Sequence, residues 1–227
     1  MTKLFQDVRS FEQLRLHNPI KSKTMRNSLT AKTDFEPVQI GELEQPTCIV
    51  EENIKNMSGS AFRVTLDQDA SSWIEELERT VMDHMVVLSK DWFGKSFSPA
   101  TIQRMHCSSL INGEIILRCT KNMASFRHVG NGKLERIEPK EIQANEMVVP
   151  IIHLEGLFIG PKHFTPSFTV SNLLACGQLK RQNLHQNPFS KISPVEEIID
   201  PFTFYTKDGN DSDSNGSFDT HIFHNKY

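Results

Sequence analysis

Two apolar runs dominate the chain, residues 147–158 and 164–175, divided by the breaker Gly160-Pro161 and the cationic pair Lys162-His163. In the second run Phe164, Pro166, Phe168, Val170 and Asn172 share one face of an extended chain, and Thr165, Ser167, Thr169 and Ser171 share the other. That period of two is what a strand imposes. Glycine and proline between two such runs predict a turn, so residues 145–176 read as a β-hairpin. A hairpin with a basic tip and aromatics on one face suits nucleic-acid binding and suits a plain β core equally.

Shorter β-like runs occupy residues 35–40, 47–50 and 61–66, with Ser58-Gly59 as a turn. Residues 72–88 form the first firm helix. Ser72 and Glu75 match a capping box, and Ile74, Leu77, Val81, Met85 and Leu88 recur at helical spacing as a buried stripe. Residues 91–97, DWFGKSF, predict a tight aromatic turn, and Ser98-Pro99 opens a second short helix that turns Ile102 and Met105 inward. Strands resume at residues 114–120 and 125–129, and Gly130-Asn131-Gly132 turns the chain into residues 133–137. A run of antiparallel strands with one helical interruption predicts a small β-barrel or sandwich.

The flanks differ. Residues 1–34 mix Lys3, Arg9, Arg15, Lys21, Lys23, Arg26 and Lys32 with few acids, the composition expected of a flexible basic arm. Beyond Lys180 the periodicity stops, and residues 207–216 are a Gly/Asn/Asp/Ser stretch. The expected organisation is an arm at 1–34, a domain at 35–180 with a helical insertion at 70–108, and a C-terminal extension at 181–227. No internal repeat is visible.

At 227 residues the chain can bury a core without staples. Its net charge of −3, from 25 basic and 28 acidic residues, gives no global attraction for nucleic acid, so such binding requires a local stripe. Cys48, Cys107, Cys119 and Cys176 are scattered without a C-x-x-C pair, which predicts reduced thiols in an intracellular protein. The charged N-terminus lacks the apolar core of a secretion signal, so the sequons at Asn56, Asn210 and Asn215 are expected to stay unglycosylated. The most apolar run, residues 147–160, is too short to span a bilayer and contains His153 and Glu155, so no membrane partner is expected.

Few motifs carry chemistry. Asp211, Asp213 and Asn215 with Gly216 match the first half of an EF-hand loop, but its twelfth position is Ile222 where a bidentate Glu is needed, and Pro201 breaks any approach helix. An acidic tail is the better reading. His106-Cys107 point apart, and His221 with His224 make a pair too small for a site. No G-x-S-x-G or phosphate loop is present. Neither an enzyme nor a cofactor is expected.

The nucleic-acid signal is a mixture of cations and rings on the strands. Arg118 and Lys121 flank the end of one, Phe126, Arg127 and His128 lie on the next, Lys133 and Arg136 on its partner, and Lys162, His163 and Phe164 at the last hairpin. Single-strand binders combine cations that follow the backbone with rings on which bases stack without being read.

A helix ending before DWFGKSFSPATI, a strand ILRC, a turn NGK and then VVPIIHLEGLFIGPKHFTPSFTVSNLL give a familiar order. With Trp92-Phe93-Gly94-Lys95, Pro150, Gly156-Leu157-Phe158 and Phe164 as its marks over about residues 62–176, the chain resembles the single-stranded DNA-binding protein family of nucleocytoplasmic large DNA viruses. That family is related to the short-tailed phage single-stranded DNA-binding proteins. The resemblance implies a mainly β (α+β), OB-fold-like five-stranded antiparallel barrel with a helical insertion and flexible tails, in which Trp92 and Phe93 close the insertion against the barrel. It also implies a non-enzymatic, sequence-tolerant role on single-stranded DNA in viral replication or recombination, inside the host cytoplasm or nucleus. Arg118, Lys121, Arg127, Lys133, Lys162, His163 and Arg181 would meet DNA, with Phe126 and Phe164 as stacking rings. Relatives carry an acidic, aromatic-ended tail that competes with DNA and docks replication proteins. Here Asp208, Asp211, Asp213, Asp219 and Tyr227 would supply it, diluted by His221, His224 and Lys226. The other reading is a viral structural or scaffold β-protein that uses the same face for protein contacts. Homodimerisation is left open.

Overall fold

A computed structural model describes residues 2–8, 10–22, 27–56, 59–129 and 133–178 of the chain. In chain order these form β1 (Lys3–Leu4), β2 (Ile20–Lys21), β3 (Leu29–Lys32), β4 (Val38–Gln39), β5 (Cys48–Asn56), β6 (Gly59–Leu66), α1 (Gln68–Phe93), α2 (Pro99–Met105), β7 (Leu110–Ile111), β8 (Glu114–His128), β9 (Leu134–Ile137), β10 (Glu146–Ile159) and β11 (Phe164–Gln178). The described residues are mainly β with two α-helices, an α+β architecture on one mixed sheet.

The expected hairpin forms. β10 and β11 pair antiparallel from Glu146↔Gln178 down to Ile159↔Phe164, and the Gly160 amide donates to the His163 carbonyl at 2.8 Å to close the turn. Phe164, Phe168 and Val170 enter the core, as a strand with one apolar face requires. From this hairpin the sheet continues through β8 and β6 to β5, and β5 returns to β10 through Glu146↔Val50 and Val148↔Cys48. The path is not wholly antiparallel as expected: β11 runs parallel to β8 from Thr169↔Arg118 to Ala175↔Arg127. The physical reason is connectivity. β9 and β10 intervene between β8 and β11, and such a crossover permits the parallel pairing that a tight turn forbids.

α1 begins four residues before the expected capping box. Asp67 caps it by accepting from the Ala70 amide at 2.8 Å, and Gly94, in the left-handed region at φ 73, ends it. Residues 91–93 of the expected aromatic turn are therefore its last helical residues. Ile74, Leu77, Val81 and Met85 are buried as the periodicity predicts, and Ser89 is buried beside them where Leu88 is only half-buried. The Ser98 side chain caps α2 by accepting from the Thr101 amide.

The described part of residues 1–34 is not a flexible arm. Phe5, Phe11 and Leu14 are buried, and Phe5, Phe11 and Phe35 surround Trp73 of α1 at ring distances of 6.1, 5.4 and 6.1 Å. The Trp73 indole donates to the Val8 carbonyl at 3.2 Å. β3 pairs with β10 through Ile159↔Leu29 to Gly156↔Lys32, and β4 pairs with it further along. The segment holds because it buries large rings and covers a strand edge that would otherwise leave backbone groups unpaired. The expected C-terminal extension, 181–227, lies outside the described residues.

Candidate nucleic-acid interface

The 15-residue strand β8 carries four of the candidate residues, Arg118, Lys121, Phe126 and Arg127. On β11, Val170 and Asn172 are two residues apart, yet they pair with Cys119 and Ala124, five apart on β8. Residues 120–123 are therefore extruded as a bulge, and its Lys121 and Asn122 are exposed. Bulges of this kind re-aim side chains and recur beside functional sites. The bulge follows the last β6 pairing, Ala61↔Arg118, on the side where β6 begins.

Beyond the bulge, β8 returns to register and a row crosses four strands: Arg136 of β9 opposite Phe126, Phe126 opposite Leu174, and Leu174 opposite Val149. Arg136 is exposed, Phe126 and Leu174 are half-buried, and Val149 is buried. His128 pairs with Leu134 one step along, and Lys133, exposed, precedes β9. The row joins a cation to a partly accessible ring at the spacing of paired strands, about 5 Å.

Other expected contacts are placed differently. Phe164 is fully buried with its ring against His106 at 5.4 Å, so it cannot stack on a base. It shares its face with Phe168 and Val170, which line the core. Arg127 donates through Nε to Glu146 Oε1 at 3.3 Å and through Nη2 to the Glu141 carbonyl at 2.9 Å, and Glu146 is itself buried. Arg127 is thus a structural cation. Arg118 donates through Nη2 to Glu155 Oε2 at 2.7 Å and also to the Ser167 hydroxyl. Lys162 is exposed in the β10–β11 turn, and partial burial holds the neighbouring His163 below its ordinary value.

The sequence thus groups residues that the fold separates. Lys121, Phe126 and Lys133 stand toward one end of β8, with Lys162 and His163 at the opposite end of β11. From Leu174 to Phe164 is ten residues, a span of about 33 Å on an extended strand. Arg136 and His128, which belong to the cation-and-ring mixture read from the sequence but not to the DNA contacts expected from the resemblance, complete the first group. The bulge had only one sequence signal, the polar pair Lys121-Asn122 interrupting an apolar strand. Arg181, the tail residues Asp211, Asp213, Asp219 and Tyr227, and the half-loop Asp211, Asp213 and Asn215 lie outside the described residues.

Among the described residues no group of three or more His, Cys, Asp or Glu side chains could hold a metal ion. All four cysteines are free, and burial pushes the Cys48 thiol up to about 12 and the Cys119 thiol up to about 11. No helix among the described residues is long and apolar enough to cross a membrane.

Fold and surface together define an α+β protein with a mixed, ring-connected sheet and a bulged strand bearing cations and one accessible ring. The chain belongs to the family described as a family of unknown function, DUF5871, which matches residues 51–183. The match takes in most of β5 and everything from β6 to β11, and leaves β1 to β4 outside. No curated protein and no solved structure matches the chain.

Proposed function

We propose that this protein binds single-stranded DNA without reading its sequence, through the outer face of β8, β9 and β11. The path β5–β6–β8–β11–β10 and back to β5, with its adjacent members β8 and β11 parallel, supports reading these strands as an OB-type five-stranded barrel, a common carrier of oligonucleotide sites. The observation that carries the reading is the row Arg136–Phe126 with the extruded Lys121 beside it. Cations there can follow a phosphate backbone while the Phe126 ring accepts a base face. Replication or recombination of a viral genome is the setting that the resemblance suggests.

Phe126→Ala tests this. Loss of one stacked base costs about 1–3 kcal/mol, so affinity for oligo-dT is expected to fall by roughly fivefold to a hundredfold with little change in salt slope. Unchanged affinity would refute the assignment. One observation favours a second reading, a protein partner on the same hairpin: Val129 and Leu134 are each 48% exposed. In that case Leu134→Lys would abolish a complex while leaving DNA binding intact.

A further inference from the structure

We infer that Glu155 is a displaceable stand-in for a DNA phosphate, holding the Arg118 guanidinium until a polynucleotide takes its place. The inference rests on the single-stranded DNA reading and concerns the middle of the same sheet face, between the Phe126 row and the β10–β11 turn.

Arg118 lies on β8 opposite Thr169 of β11, and the same Thr169 lies opposite His153 of β10. Glu155 is on β10, two strands from Arg118, a separation of about 10 Å between backbones. The Arg118 side chain crosses β11 over Ser167 to meet that carboxylate at 2.7 Å. The meeting depends on a built feature of the backbone. The β10–β11 register shifts between Leu154 and Gly156, so that Glu155 is the extra residue of a bulge. Gly156 beside it, at φ +156, accepts no side chain, because a Cβ there would collide with the Ala31 carbonyl of β3. The packing of β3 on β10 thus fixes where the carboxylate stands.

The pair is also accessible, with Glu155 52% and Arg118 31% exposed in their side chains. Carboxylate and phosphate both accept the planar guanidinium fork. A phosphate arriving on this face can replace the carboxylate at the same donors, and Glu155, already half in water, is released to solvent. Such an exchange lowers affinity for weakly held polyanions and makes binding depend on several contacts at once. Glu52 of β5 supplies a comparison: it is exposed and stands 3.9 Å from Arg63 of β6, but the register shift beside it makes Glu51 the extra residue and leaves Glu52 paired opposite Arg63.

The test is an oligo-dT titration of the full chain at two salt concentrations, comparing wild type with Glu155→Gln, Glu52→Gln, Arg118→Gln and the double variant Arg118→Gln/Glu155→Gln. Glu155→Gln is expected to bind about fivefold more tightly at low salt, the weight of one contact charge pair in water. Its log–log salt slope should steepen by up to about 0.7, because the same phosphate is held with no displaced carboxylate left to offset its neutralisation. Glu52→Gln should gain much less, and the gain from Glu155→Gln should vanish without Arg118. No gain, or an equal gain in Glu52→Gln or in the Arg118→Gln background, overturns the inference and leaves DNA binding standing. If neither wild type nor Glu155→Gln binds oligo-dT, both fall. Should Arg118→Gln fail to fold, the slope of Glu155→Gln against that of Glu52→Gln decides.

Discussion

Glu78→Ala is expected to destabilise the protein by about 3–5 kcal/mol, the usual cost of breaking a buried charged cluster from one side. That is a large part of the roughly 5–15 kcal/mol that holds a domain folded. Glu78 projects from α1 and is almost inaccessible. Its Oε2 accepts from the Ser108 hydroxyl at 2.7 Å, its Oε1 accepts from the Ser109 amide at 2.7 Å and hydroxyl at 2.5 Å, and His106 Nε2 stands 3.4 Å away. One carboxylate therefore fastens the link between α2 and β7 to the long helix, and alanine would leave buried donors with no acceptor. Burial alone raises the carboxyl, but the adjacent His106 ring and the hydrogen bonds from Ser109 and Ser108 outweigh it and hold the group below its ordinary value of 4.5. A depressed folded-state value means the contribution is complete above that ordinary value and lost as pH falls through the depressed one. Denaturant melts from pH 7 to pH 3 should show wild type losing stability more steeply than Glu78→Gln below about pH 4.5. Parallel curves would remove the carboxylate from the account.

Arg127→Ala is expected to cost a comparable amount, about 3–5 kcal/mol, because the buried Glu146 loses its countercharge. Glu146 also accepts from the Gln143 amide at 3.0 Å, so the pair binds the entry of β10 to the far end of β8. Oligo-dT affinity of the folded fraction should stay within about twofold of wild type, less than the effect of one lost phosphate contact. Lost affinity without lost stability would return Arg127 to the DNA surface. Urea melts and titrations on the same preparation separate the two outcomes.

The β10–β11 hairpin was legible because a period of two and a Gly-Pro breaker are local signals, and the stripe of α1 was legible through its period of 3.6. The start of α1 was not, because Ser72 and Glu75 form a capping pattern inside the helix that competes with Asp67 at its true end. Phe5, Phe11 and Leu14 lie among charges without any period, and the Trp73 against which Phe5 and Phe11 pack is more than fifty residues away, so their burial is a tertiary fact. The parallel pairing of β8 with β11 is invisible for the same reason. Phe164 could have been placed correctly: it alternates in phase with Phe168 and Val170, and the opposite face of that strand is all hydroxyls. Positive charge in a sequence looks available, but Arg118 and Arg127 find carboxylates 37 and 19 residues along the chain, which no local pattern announces.

The central claim is that cations and a ring on β8 and β9 hold an unpaired polynucleotide. Its most direct test is a fluorescence titration of the full chain with oligo-dT and with a duplex of equal length, each at two salt concentrations. The expected result is clear preference for the single strand, with a log–log salt slope of about −0.7 for each phosphate held, near −2 for Lys121, Lys133 and Arg136 together. Equal affinity for duplex and single strand, or binding to neither, would contradict it.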